Sequence, residues 1–274
     1  MTSRVVLGPL ARNTPARFTN TGNLRALEQT SCFIPIKNTH FRHSFQHTNY
    51  KNMSIANSHS VLKQSLKDQR EHLSEMHATR LHRAVSWLGC ASAQETDIDL
   101  QLISLWISFN ACYAIDEGGS ESLAERFAFL RFVEKLVKHD TDKKIYAILW
   151  ETYSGPVKAL IKNPYVFHGF WVAKRKSDKD DAWREEFNNL SVSALNCLSR
   201  QQVPELLSIV LDRLFVVRNQ LLHGGATYQS QVNREQVKDG ADLLGALMPT
   251  VIQIMLNTPN EDWGDIYYPV VKAP

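Results

Sequence analysis

Apolar residues recur at spacings of three, four and seven along most of this chain from about Ser58 onwards, and no stretch alternates polar and apolar residues for long. This period is typical of amphipathic helices, whereas half-buried strands need a period of two. The pattern therefore predicts an all-α fold. We expect an up-and-down helical bundle with an inserted helical and irregular subregion near residues 120–200.

The same period and the capping residues predict where individual helices begin and end. Pro249 falls inside the last predicted helix, and we expect it to kink or split that helix because proline lacks a backbone N–H. Residues 165–172 are aromatic without a period, and residues 174–181 read as a charged loop. The predicted helices cover residues 58–88, 98–115, 121–138, 141–153, 182–198, 205–223 and about 231–256.

Three regions follow from composition. Residues 1–52 mix Thr, Asn, Arg, Pro and Gly without a period and hold seven basic residues and one acid. We expect them to be a disordered basic segment. The same composition also fits a mitochondrial transit peptide, or an extension upstream of an initiator at Met53. Residues 53–258 form the predicted helical domain, and residues 259–274 form a C-terminal tail with three anchoring aromatics, Trp263, Tyr267 and Tyr268.

The formal net charge of +3 conceals an acidic helical part. Subtracting the first 52 residues from the totals of 31 basic and 28 acidic residues leaves 24 and 27, a net charge of −3. This excludes binding of RNA through bulk positive charge, so any RNA contact there must be local. No apolar run approaches about 18 residues, and the four cysteines form no C-x-x-C pair. We therefore expect a cytoplasmic protein that does not enter a membrane.

The most informative motif is the end of one predicted helix. An apolar lead-in reaches Arg218, Asn219 and His223 in the pattern R-N-x-x-x-H and stops at Gly224 and Gly225. A fixed cation can hold a phosphate, and an imidazole can move protons to or from a ribose hydroxyl. These are the groups that a metal-independent ribonuclease needs.

Helical geometry sets a condition on this motif. Arg218 and His223 lie about 140° apart around a helix of 3.6 residues per turn, so they do not share a face. Asn219 and His223 are four residues apart and can hydrogen-bond. Convergence of the Arg and the His requires the reach of the Arg, a loosened helix end, or a second copy of the helix. A purely structural interpretation is that Arg218 pairs with a core acid and His223 only caps the helix.

A second motif lies upstream. Residues 81–88 (LHRAVSWL) and residues 99–113 (DLQLISLWISFNACY) precede the Arg–His helix by about a hundred residues. Together with the R-N-x-x-x-H pattern they resemble bacterial HEPN domains of the Apea-like kind, over roughly residues 70–255. The resemblance implies an all-helical RNA-cleaving homodimer in which Arg218, Asn219 and His223 are catalytic. It also implies a toxin–antitoxin or phage-defence setting, with an antitoxin protein as partner.

Two further residues are candidate supports of the site. Asn110 is a polar residue in an apolar helix and either supports the motif or is a buried Asn satisfied by backbone. Trp171 lies in the aromatic segment with basic neighbours, and it either packs in the core or stacks on an RNA base. Both alternatives remain open from the sequence.

The sequence predicts no metal and no cofactor. His40, His43 and His47 lie in the N-terminal segment without a matching Cys or carboxylate set. His72, His77 and His82 rotate around their helix, so we expect them to be solvated or to face a partner. We predict a metal-independent endoribonuclease; the alternative is a non-catalytic HEPN-like module that binds nucleotide or RNA or mediates interactions.

Overall fold

The computed structural model describes residues 54–114, 122–176 and 182–271, with the side chains of residues 122–126 excepted. These residues form ten α-helices and no strand, which confirms the all-α fold. The predicted disordered segment 1–52 lies outside the described residues. The helices are α1 (Ile55–Asp68), α2 (Glu75–Ser92), α3 (Ile98–Tyr113), α4 (Ser122–His139), α5 (Lys144–Tyr146), α6 (Ser154–Lys162), α7 (His168–Arg175), α8 (Ala182–Ser199), α9 (Val203–Leu222) and α10 (Arg234–Leu256).

The first two helices arise from one long apolar pattern. The prediction of a single helix over residues 58–88 is wrong, because the chain breaks at a 3₁₀ turn, Arg70–His72. Ser74 then starts α2, and its side chain accepts a hydrogen bond of 3.2 Å from the backbone N–H of His77. Leu66 and Leu73 are both buried, so the apolar period continues through the break and conceals it.

α2 and α3 form an antiparallel pair that is joined by buried hydrogen bonds. The Ser108 hydroxyl donates to the carbonyl of Ala84 at 2.7 Å, and the Gln101 amide donates to the carbonyl of Ala91 at 3.3 Å. α1 packs on α2, and α10 packs on α1, α2 and α3. The up-and-down arrangement of the whole set remains a prediction.

α10 is the most buried of these helices. It is one continuous helix with Pro249 inside it, so Pro249 does not split it, and the alternative of a kink stays a prediction. By length and composition it is the one described helix that could cross a membrane, but 78% of its most apolar window is buried inside the protein. Packing against its neighbours thus accounts for its apolar character within the described residues.

The inserted subregion is more helical than the sequence predicts. Residues predicted to be irregular form a 3₁₀ turn, Pro164–Val166, and α7, while α5 continues into a π-helical segment, Ala147–Thr152. α6 and α8 pack on α9, and α7 packs on α8. The subregion therefore covers one side of the helix that carries the Arg–His motif.

Part of the predicted C-terminal tail packs on the helices. Trp263 and Ile266 are buried, and the buried Arg80 donates a hydrogen bond of 2.8 Å to the carbonyl of Gly264. Tyr267 and Tyr268, which were also expected to anchor the tail, are exposed. The anchoring thus comes from Trp263 and Ile266 and from polar contacts with α2 and α4, including the His139–Glu261 pair at 2.6 Å.

Candidate functional site

The end of α9 is shaped by two glycines. Gly224 adopts a left-handed conformation with φ of +67°, and its N–H donates to the carbonyl of Leu221 at 3.3 Å. The N–H of Gly225 donates to the carbonyl of Gln220 at 2.8 Å. This pair of bonds is the Schellman motif, which satisfies the last carbonyls of a helix. The predicted glycine stop is therefore where the helix ends.

His223 occupies the capping position of this helix end and is exposed. Its backbone N–H donates to the carbonyl of Asn219 at 3.0 Å, which continues the helical hydrogen bonding through the residue. Among the described residues, no hydrogen bond involves its imidazole ring. The ring is therefore held on a fixed backbone with both nitrogens open to a ligand.

Arg218 is half-buried five residues before His223. It donates a hydrogen bond of 2.8 Å to the side-chain carbonyl of Asn219, and its guanidinium lies 5.7 Å from the ring centre of Phe215. Burial lowers the pKa of the guanidinium, and nearby Tyr113 acts in the opposite direction. The Nε atom is buried without a hydrogen-bond partner in the part of the chain that the structure describes.

These contacts test the purely structural interpretation of the motif, in which Arg218 pairs with a core acid and His223 only caps the helix. Within the described ranges no ion pair links Arg218 to an acid, so the expected core pairing is not found, whereas His223 does cap the helix. The Asn219 side chain contacts Arg218 rather than His223. The three motif residues therefore form a coupled Arg218–Asn219 pair and a separate exposed imidazole.

α3 contributes the surface next to Arg218. Trp106, Asn110 and Tyr113 are spaced to share one face of α3, and the Trp106 ring lies 5.9 Å from the ring of Phe215 on α9. Asn110 is half-buried on this face, and no hydrogen bond to its side-chain amide is found among the described residues. Both alternatives for Asn110, support of the motif and a side chain satisfied by backbone, stay predictions.

The loop after the motif is tied to the start of α3. Tyr228 donates to Asp97, the backbone N–H of Gln229 donates to Asp99 at 2.8 Å, and Arg234 forms an ion pair with Asp99. Asp97 also caps α3, as the sequence predicts, through the N–H of Leu100 at 3.1 Å. The sequence did not reveal the second role of these acids, because their partners lie about 130 residues away along the chain.

Gln220 connects the motif to the aromatic segment and was not singled out from the sequence. Its amide donates to the carbonyl of Tyr165 at 2.8 Å, and Trp171 Nε1 donates to the same carbonyl at 2.7 Å. Gln220 Oε1 also accepts a hydrogen bond from Asn233 at 3.1 Å. Trp171 therefore lies in α7, beside the last turns of α9, and is half-buried rather than in the core.

No group of three His, Cys, Asp or Glu side chains that could hold a metal occurs among the described residues. Comparison of the chain with family models, curated proteins and solved structures found no match. The HEPN resemblance thus rests on the motifs alone, and the arrangement of side chains at the end of α9 carries the functional argument.

Proposed function

We propose that this chain is a metal-independent endoribonuclease of the HEPN type that acts as a homodimer. The observation that carries the proposal is His223, an exposed imidazole on a helix end fixed by two glycines. It lies five residues after Arg218, a cation that is held by Asn219 and has no acidic partner among the described residues. A proton carrier and a nearby cation together suit cleavage of a phosphodiester.

The proposed chemistry uses the ribose of the substrate. His223 takes the proton from the 2′-hydroxyl, whose oxygen attacks the neighbouring phosphorus. The bond to the 5′-oxygen breaks, and that oxygen takes up a proton. The products are a 2′,3′-cyclic phosphate and a 5′-hydroxyl end. Arg218 stabilises the charge on the phosphate oxygens, and Asn219 orients Arg218. DNA lacks the 2′-hydroxyl and is not cleaved by this route.

The dimer is proposed because Arg218 and His223 diverge by about 140° on one helix. The surface of α9 supports it. Phe215 and Leu222 are 44% and 47% exposed, and their spacing of seven places them on one face beside Asn219. A second copy of α9 packed there buries both side chains and brings an Arg of one protomer towards the His of the other.

The test is cleavage by two purified variants. His223→Ala and Arg218→Ala are each expected to lose about two to four orders of magnitude of cleavage of single-stranded RNA in the presence of EDTA. His82→Ala removes another exposed histidine, on α2, and is the matched control with full activity. Full activity in either motif variant, or cleavage abolished by the chelator, overturns the mechanism.

Mixing the two inactive variants tests the composite site. After subunit exchange, a mixed dimer pairs the intact Arg218 of one chain with the intact His223 of the other. We expect recovery of roughly a quarter of the original activity, because about half of the dimers are mixed and each has one complete site. Verified exchange without recovery, or an active monomer in sedimentation, contradicts the composite site.

The second candidate is a non-catalytic HEPN-like module that binds nucleotide or RNA or mediates interactions. The observation that favours it is the net charge of −3 over residues 53–274, which gives the helical part no bulk attraction for an RNA substrate. Binding of RNA without cleavage at any protein concentration supports this candidate. The toxin–antitoxin or phage-defence setting and the antitoxin partner are proposals from the resemblance, and the cytoplasmic location is a proposal from the spacing of the cysteines.

A further inference from the structure

Four aromatic rings form a cluster on α7, on the start of α8 and on the turn before α7. Phe170 lies at its centre, with ring centres of its three neighbours at 5.0–5.2 Å and ring planes at 85–89°. Such edge-to-face contacts fix ring orientations. We name this cluster the aromatic ledge, and its members are Tyr165, Phe170, Trp171 and Trp183.

The aromatic ledge is exposed rather than part of the core. Tyr165 is 59% exposed, the other three side chains are half-buried, and α7 has no fully buried residue. The Trp171 ring is held in place because its N–H donates to the Tyr165 carbonyl at 2.7 Å. Rigid rings with open faces bind planar ligands without first losing conformational entropy.

Three basic residues lie beside these rings. Lys174, Arg175 and Lys176 are exposed at the end of α7, and no acid occurs within α7. The Lys174 ammonium lies 5.5 Å from the ring centre of Phe170, which links the charge to the ledge. Acids follow along the chain, at positions 178, 180 and 181 outside the described residues and at Glu185 and Glu186 on α8, so the basic surface is confined to the end of α7. Exposed cations beside exposed aromatic rings complement a polyanion with unpaired bases.

The ledge also lies next to the candidate site. The Tyr165 carbonyl accepts hydrogen bonds from Trp171 and from Gln220, and Gln220 directly follows Arg218 and Asn219 on α9. A strand lying on the ledge therefore runs towards the end of the motif helix. The buried Arg213 reinforces this junction, because its guanidinium lies 4.9 Å and 5.6 Å from the ring centres of Phe167 and Phe187.

We propose that the aromatic ledge is the binding surface for single-stranded RNA. Bases stack on Tyr165 and Trp171, and phosphates contact Lys174, Arg175 and Lys176. The identification of the polymer as RNA rests on the proposed function, whereas the placement of the surface rests on the ring and charge geometry. Double-stranded RNA does not fit, because its bases are stacked inside the helix and cannot reach the rings.

The test measures binding separately from cleavage. Fluorescence anisotropy of a labelled single-stranded RNA of about twelve nucleotides is recorded with the full chain carrying His223→Ala. Adding Trp171→Ala is expected to weaken binding about five- to a hundredfold, since each stacked base contributes roughly 1–3 kcal/mol. Trp87→Ala removes a 39% exposed tryptophan on α2 and is expected to leave binding unchanged.

Salt dependence tests the cations. Lys174→Gln and Lys176→Gln are each expected to lower the slope of log K against log salt by about 0.7, the value for one phosphate contact on a single strand. Lys67→Gln, an exposed lysine on α1, is the control with an unchanged slope. Circular dichroism establishes that each variant is folded.

The two proposals fail in different ways. Equal RNA affinity in Trp171→Ala and Trp87→Ala, or equal binding of single- and double-stranded RNA, overturns the ledge even if the protein cleaves RNA. Binding that depends on Trp171, in a protein that never cleaves, leaves the ledge in place and removes the endoribonuclease.

Discussion

At the scale of single residues, Gly224 has the clearest backbone requirement. Its φ of +67° is costly for residues with a Cβ, by about 1–2 kcal/mol. Gly224→Ala is therefore expected to lower the free energy of unfolding by about 1 kcal/mol. A Cβ added at this position has no atom within 4 Å, so the change in stability comes from the backbone conformation and not from packing. Urea denaturation measures the change.

A second substitution at the same position supplies the matched control. Asn adopts the left-handed conformation at lower cost than alanine does. Gly224→Asn is therefore expected to lose less stability than Gly224→Ala. Equal losses in the two variants are incompatible with a strained helix end at Gly224.

The site could be predicted from the sequence only as far as local pattern reaches. The R-N-x-x-x-H pattern and two glycines predicted a helix end carrying an Arg and a His, and the structure places both there. The contact of Asn219 with Arg218 was not predicted, because helical spacing favoured a bond between Asn219 and His223. Side-chain rotamers in a half-buried setting decide that choice, and spacing alone does not contain them.

At the scale of helices, the apolar period predicted most of the long helices, but it missed the break between α1 and α2 and the short helix α7. α3 begins at the predicted residue, with Asp97 as its cap, because composition and cap agree there. α7 was not predicted, because it has eight residues, a glycine near its start and no apolar stripe of helical spacing. Its helical form depends on contacts with α8 that a local pattern does not record.

The junction of α7, α8 and α9 yields a prediction about Arg213. This side chain is only 6% exposed, and its guanidinium lies against Phe167 and Phe187. Arg213→Ala leaves a cavity between the rings and is expected to cost about 2–4 kcal/mol. Arg213→Met refills most of that volume without a buried charge, so it is expected to recover most of the loss.

Thermal and urea denaturation of both Arg213 variants distinguish packing from charge. If the methionine variant is as unstable as the alanine variant, then the guanidinium itself stabilises the junction. Arg83→Met, a change on α2 where the side chain is half-buried, is a control for loss of an arginine elsewhere.

At the scale of the whole molecule, a buried histidine makes stability depend on pH. His77 donates from Nε2 to the carbonyl of Met255 at 2.9 Å, and burial lowers its pKa below the usual 6.5. It was expected to be solvated or to face a partner, whereas the structure buries it against α10. The unfolded chain binds a proton near pH 6.5 and the folded chain does not, so stability present above pH 6.5 is lost as the pH falls below it.

The urea concentration at the midpoint of unfolding, measured at about pH 7.5, 6.5 and 5.5, reports this loss of stability. His77→Gln keeps a hydrogen-bond donor that does not titrate, so it is expected to have a lower midpoint at pH 7.5 and a flatter dependence below 6.5. His82→Gln, an exposed change on the same helix, keeps the original slope. A pH dependence that is identical in His77→Gln and the original chain excludes His77 as its source.

The N-terminal residues supply the last prediction. Residues 1–52 show no apolar period in the sequence, and Ser54 supplies the cap of α1 from outside that segment. A chain that begins at Met53 is therefore expected to melt at nearly the same temperature and to cleave RNA as the full chain does. It lacks seven basic residues, so its RNA binding is expected to depend less steeply on salt. The loss of affinity caused by Trp171→Ala should persist in the shortened chain, because the aromatic ledge is built entirely from residues 165–183. A large drop in melting temperature on truncation contradicts this division of the chain, since it requires residues 1–52 to pack on the helices.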